Sequence, residues 1–194
     1  MIVFMDIEAS GLTDDSYPIE IAWVFEDGSG GESHYIRPAP GWTGWSASAE
    51  EAHHITRDLL EKNGEPAEAV ARRLVEALSG HDLTASSPNW DGKWLSDLLE
   101  AGGFARDRLT LRDTEEVQAE AIARVLDLDM ATAPRDPGEV LPRDVETIMV
   151  LAGLEERRTH HHRALDDAEE ERQRWLKVQE MATAQLRKKA EYGW

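Results

Sequence analysis

The sequence predicts an α/β domain whose mixed sheet is flanked by helices, and three observations carry that prediction. Three strand-like runs separated by short turns open the chain, as in an antiparallel meander. Short apolar runs then alternate with segments whose apolar residues recur at helical spacing. A Pro- and Gly-bearing stretch at 131–142 precedes the longest helical pattern of all. With 194 residues and no internal repeat, the chain is expected to form a single domain over 1–194.

The elements follow in order. Ile2 to Ile7 is rich in branched and aromatic residues, ends before Ser10-Gly11, and reads as a largely buried strand. Pro18 to Glu26 reads as a second strand, Asp27 to Gly31 as a turn, and Glu32 to Arg37 as a third strand stopped by Pro38 and Pro40. Ser48 to Ala52 begins a helical pattern. Glu65 to Leu78 is a clearer helix, with Ala69, Val70, Leu74 and Leu78 at helical spacing. His81 to Ser86 and Leu109 to Leu111 read as short strands. Lys93 to Ala101, Glu115 to Leu126 and Asp144 to Leu151 read as helices, and a long helix runs from about Ala164 to Ala190.

Composition narrows the function. The 21 Lys+Arg against 39 Asp+Glu give a net charge of −18, the opposite of what adhesion along a nucleic acid by phosphate neutralisation requires. A basic coat or architectural protein is excluded; a nucleic-acid enzyme is not, because bound metal ions supply positive charge locally. Residues 155–194 hold nine basic and nine acidic residues, so residues 1–154 carry the whole excess. Cysteine is absent, which excludes disulfides, a thiol nucleophile and a Cys-based zinc site. The opening Met-Ile-Val-Phe-Met-Asp lacks a basic region, and no stretch approaches the roughly 20 apolar residues of a membrane span. A cytoplasmic protein with no membrane partner is the expectation.

Three constellations could carry chemistry. Asp6 and Glu8 stand two apart on a predicted strand, so both carboxylates leave the same face. Acids within an otherwise apolar strand suit a divalent cation such as Mg²⁺ or Mn²⁺, or else face solvent. Trp90-Asp91 lies where a strand end leads into a helix. Asp91 is a natural N-cap there, and Trp90 and Trp94, four apart, suit core packing or base stacking. His160-His161-His162 precedes Ala164 and Asp166-Asp167 at the start of the long helix. Acids in a first turn favour the helix dipole in any case, and three histidines also suit a solvated loop or a structural metal site.

In chain order these segments resemble the DEDDh family of 3′→5′ exonucleases, which includes proofreading exonucleases and oligoribonuclease. The Asp-x-Glu motif followed by Gly-Leu is matched by Asp6, Glu8, Gly11 and Leu12. The Asp after an aromatic residue is matched by Trp90-Asp91, and His-x-Ala-x-x-Asp by His162, Ala164 and Asp167. His53-His54-Ile55-Thr56 is similar to the family's His-Gly-Ile with Thr nearby, and Arg112-Asp113-Thr114 to its Asp-Thr/Ser strand end. The family often carries an Asn four residues before its second Asp, where this chain has Ser87.

The resemblance implies a ribonuclease-H-like fold and hydrolysis of single-stranded RNA or DNA from 3′ ends, releasing nucleoside monophosphates. It implies two Mg²⁺ or Mn²⁺ ions held by Asp6, Glu8, Asp91 and Asp167, with His162 as general base. It further implies substrate contacts from Ala9, Ser10, Gly11 and Leu12, with His54 and Trp90 as additional contacts. His160 and His161 are then flanking residues. The rival expectation is a non-catalytic nucleic-acid-binding or assembly module on a nuclease-like fold. The long C-terminal helix is a candidate homodimer surface, although Glu169 to Arg174 is mostly charged and reads as a solvated face.

Overall fold

The computed structural model describes residues 1–136, 138–155 and 162–192. Three antiparallel strands open the chain: β1 (Ile2–Ala9), β2 (Pro18–Phe25) and β3 (Gly31–Arg37). Two short helices follow, α1 (Ala47–His53) and α2 (Arg57–Asn63), then β4 (Glu65–Pro66), α3 (Ala67–Leu78), β5 (Asp82–Ala85), α4 (Pro88–Ala101) and β6 (Leu111–Asp113). The chain continues through α5 (Thr114–Leu126), α6 (Arg143–Glu155) and α7 (Ala164–Tyr192). The sheet order is β4-β3-β2-β1-β5-β6, with β5 parallel to β1 and β6 parallel to β5. The mixed α/β sheet expected from the sequence, meander first and parallel strands after, is the architecture found.

Contacts divide the chain into two compact units. The first holds residues 1–113 and the start of α7 to Glu170; the second holds α5, α6 and the remainder of α7. In the first unit, the pleat of β1 sends Val3, Met5, Ile7 and Ala9 into a core closed by Val70, Leu74 and Leu78 of α3 and Leu95, Leu98 and Leu99 of α4. The even positions of β1, including Asp6 and Glu8, leave the other face. The second unit has its own core, in which Ile122, Val145, Ile148, Val178 and Ala182 meet.

Several boundaries differ from the expected ones for physical reasons. The helix expected from Glu65 starts at Ala67, because Pro66 (φ −56°, ψ 135°) is extended and pairs with Arg37 of β3. The α4 helix begins at Pro88 rather than Lys93, with proline in the first turn where its missing N–H costs nothing. Asp91 is therefore not the N-cap; Ser87 holds that position. The seven-residue α2 was not expected, being too short to show periodicity, although Thr56 Oγ caps it by accepting from the Leu59 N–H at 3.2 Å. The strand expected over Leu109 to Leu111 is β6 at Leu111–Asp113, two residues further on, and α6 runs through Gly153.

The end of α4 shows how closely the layer is packed. A Cβ at Gly102 would lie 2.4 Å from Ala71 Cβ on α3, so only glycine lets the two helices meet there. Gly102→Ala is expected to cost about 1–3 kcal/mol through overpacking. In urea denaturation the midpoint should fall with an unchanged m-value; an unchanged midpoint would show that α3 and α4 yield at no cost.

Candidate functional site

The sheet's parallel junction positions the acids. β1 and β5 run side by side in the same direction, so the C-terminal end of β1 lies near the start of α4, where open α/β sheets place their ligands. Asp6 and Glu8 project from β1 beside a β-bulge at Glu8/Ala9 that shifts the register against β2. Asp91 arrives in the first turn of α4 and Asp167 in the first turn of α7. Oxygen atoms of Asp6, Glu8 and Asp167 all lie within 4.8 Å of one another, the one such group among the described residues. A hollow of about 190 Å³ joins them to Asp91, His162, Leu12, Ser87, Trp90, Trp94 and Ile7.

Burial and like charge govern the electrostatics. The Glu8 carboxyl is pushed up to about 7, mainly by burial and then by the charges of Asp167, Glu20 and Asp91, with Arg163 opposing them. Asp91 is also pushed up to about 7 by burial, against a hydrogen bond from the Ser87 backbone N–H. Asp91 is 3% exposed, and its buried Oδ2 has no hydrogen-bond partner. An orphaned buried carboxylate oxygen beside three clustered acids fits a hard divalent cation, which prefers oxygen donors. These residues therefore suit the group that the resemblance implies.

The remaining expected site residues divide. Leu12 (71% exposed) and Trp90 line the hollow, and Trp90 stacks on Trp94 with ring centroids 5.5 Å apart. His162 lies in the loop ahead of α7, exposed and left-handed (φ 46°). His160 and His161 lie outside the described residues. Ala9 faces the core and does not line the hollow. Ser10 is committed internally: its N–H donates to the Tyr17 carbonyl, its carbonyl accepts from Ser46, and its Oγ accepts from the Tyr17 N–H. Gly11 is buried, and a Cβ there would lie 3.1 Å from Ser46 Cβ. His54 caps α1 in the left-handed region (φ 56°), is exposed, and does not line the hollow.

Three residues that sequence reasoning did not assign to the site emerge here. His53, not His54, turns inward; its Nδ1 accepts from the Ile55 N–H at 3.0 Å, while its Nε2 is buried beside Ala9 with no well-formed hydrogen bond. Burial holds its ring below the usual histidine range. Glu20 of β2 is paired in register with Glu8, and Arg163 forks onto it. A polar residue inside the otherwise apolar Pro18–Phe25 run was the available signal for Glu20. A larger groove of about 930 Å³ is lined by α5, α6 and α7 residues of the second unit and includes none of these acids.

The raised carboxyls set a pH dependence. A carboxyl whose folded-state pKa lies above its unfolded value stabilises the fold at low pH and loses that contribution as pH rises through the folded value. For Glu8 and Asp91 the window runs from the ordinary range, 4.5 and 3.8, to about 7. In chelator, the thermal midpoint should fall between pH 5 and pH 8, and Asp91→Asn should flatten that fall. Mn²⁺ at pH 8 should restore the midpoint of the wild type and not of Asp91→Asn; equal responses would remove Asp91 from the cation site.

No protein-family model and no curated protein matches the chain. Solved structures do. The fold resembles that of E. coli exonuclease I in complex with a dA16 oligonucleotide, with a TM-score of 0.63 at 14% identity over 95% of this chain and 42% of that one. The zinc-ion-bound form of the E. coli exonuclease I–ssDNA complex gives 0.59 at 14% identity over 94% and 39%. A moderately thermophilic exonuclease I from Methylocaldum szegediense gives 0.61 at 17% identity over 90% and 40%. The chain thus spans about two-fifths of the length of these proteins and shares with them an exonuclease I-like α/β fold.

Proposed function

We propose that the chain is a metal-dependent 3′→5′ exonuclease that releases nucleoside monophosphates from single-stranded DNA or RNA ends. The observation that carries this reading is the convergence of Asp6, Glu8 and Asp167 within 4.8 Å in a hollow shared with Asp91 and His162. Fold likeness to exonuclease I, solved with single-stranded DNA and with zinc, supports it and makes DNA the first substrate to test. In this reading residues 1–194 act as one exonuclease domain.

Each residue then has a task. Asp6, Glu8, Asp91 and Asp167 hold Mg²⁺ or Mn²⁺, two ions in this proposal, through carboxylate oxygens. Bound ions of this kind supply Lewis-acid stabilisation of phosphoryl charge and lower the pKa of water. His162 accepts the proton of the attacking water on a ring nitrogen, work suited to an imidazole near neutral pH. The water oxygen bonds to the terminal phosphorus as the P–O3′ bond breaks, and the departing O3′ takes a proton from solvent. Leu12 and Trp90 offer apolar surface to the terminal bases, since a base of any identity stacks on such a surface.

Two substitutions test the assignment on 5′-labelled DNA and RNA oligonucleotides with Mn²⁺, Mg²⁺ or chelator. Asp6→Ala should abolish metal-dependent shortening from the 3′ end; unchanged ladders would remove the metal-site reading. His162→Ala should lower turnover by about 10²–10⁴-fold while calorimetry still detects Mn²⁺ binding. Turnover close to wild type in that variant would deny His162 the proton.

A further inference from the structure

The pleat places three side chains in a row across the sheet. Glu8 of β1 is paired with Glu20 of β2, and Glu20 with Tyr35 of β3. Glu20 is 1% exposed, and a carboxylate buried beside Glu8 is costly unless it is neutralised. Four donors meet it. Ser33 Oγ donates to Oε1 at 2.9 Å, Arg163 Nη2 to Oε1 at 3.0 Å, Arg163 Nε to Oε2 at 3.1 Å, and the Ala164 backbone N–H to Oε2 at 3.3 Å. The Arg163 fork is a bidentate pair, the strongest and most directional form of such a contact. The same guanidinium donates to Tyr35 Oη at 2.6 Å and lies 5.4 Å from that ring's centre.

The hydrogen bonds that Glu20 accepts from the α7 side come from two consecutive residues, Arg163 and Ala164. His162 immediately precedes them. The Arg163 carbonyl accepts the Asp167 N–H at 3.0 Å, the bond that opens the helix. Glu20 also takes the Ala164 N–H, one of the amides a helix start leaves without an intrahelical partner. A strand residue thus serves as the cap of α7 and sets the direction in which its first turn leaves the sheet. The candidate base immediately precedes this contact, and the candidate ligand at 167 follows it within one helical turn.

We infer that Glu20 and Arg163 are positioning residues, a latch from β2 to the start of α7 that holds His162 and Asp167 at the Asp6–Glu8 pair. The inference rests on the exonuclease reading for its consequence in turnover and on geometry alone for the latch. The latch lies on the face of the sheet opposite α3 and α4, so opening it leaves that core intact.

The experiment uses the full chain with Glu20→Gln and Arg163→Lys, and Arg73→Gln as control, since Arg73 pairs with Glu32 on β3 and touches none of these groups. In Glu20→Gln, kcat for nucleotide release should fall about 10²-fold, the scale of a misplaced catalytic group, with KM within about threefold. Hydrogen exchange of amides 162–168 should accelerate about tenfold while β1 and α3 keep their protection. Arg163→Lys, which keeps charge but not the fork, should show a smaller loss of the same kind, and Arg73→Gln none. A kcat within twofold of wild type, or faster exchange spread evenly over β1 and α3, would overturn the inference. If Glu20→Gln does not fold, Arg163→Lys carries both readouts, because its guanidinium is partly exposed. A wild-type protein that releases no nucleotide would end the exonuclease reading, while exchange at 162–168 would still decide whether the latch exists.

Discussion

Like-charge crowding is the constraint around which the first unit is built. Asp6, Glu8 and Asp167 bring carboxylate oxygens within 4.8 Å of one another, with Asp91 lining the same hollow and Glu20 one strand away. Burial makes each ionised acid expensive, and proximity makes each a burden on the next. Glu8 and Asp91 respond by holding protons to about pH 7. Glu20 responds differently, by taking a bidentate arginine. Glu8 and Asp91 are thus separated from the acid that anchors a helix by what offsets their charge.

The scaffold that imposes this crowding is local and simple. The period of two along β1 aligns Asp6 with Glu8, and the bulge after Glu8 bends the strand end beside them. Parallel pairing of β5 with β1 brings the first turn of α4, and with it Asp91, to the same end. The start of α7 is the one contributor not fixed by strand pairing, and the Glu20–Arg163 contact supplies what pairing does not. A site assembled from a strand, a helix start and a loop-to-helix junction is only as rigid as its least constrained part.

Legibility in the sequence follows the range of the interaction. Asp6 and Glu8 were readable because strand alternation is a two-residue rule, and the mixed sheet because turn chemistry and periodicity are local. Asp91 was readable as an acid at a strand–helix junction, but its place was not. Its helix begins at Pro88, outside the periodic part, and that shift turns an apparent N-cap into a first-turn carboxylate. The pair His53-His54 could not be ordered from composition, because the left-handed turn at His54 decides which ring goes inward. Glu20 was missed although it is the polar exception in an apolar strand, because its partner Arg163 is 143 residues away and only the tertiary fold joins them.

The net charge of −18 takes its meaning from the same constraint. A protein that adheres along a strand meets each phosphate with a basic side chain, and its affinity scales with the number of such contacts. Residues 1–154 carry 30 acids against 12 bases, so that mode finds little support in the segment that supplies most of the hollow. Under the proposed function the sign of attraction is reversed locally instead: clustered carboxylates draw divalent cations, and the cations draw a phosphate. That arrangement engages one end of a chain, not its length. Acidity and a polyanionic substrate are then compatible because the contact between them is small and mediated by cations.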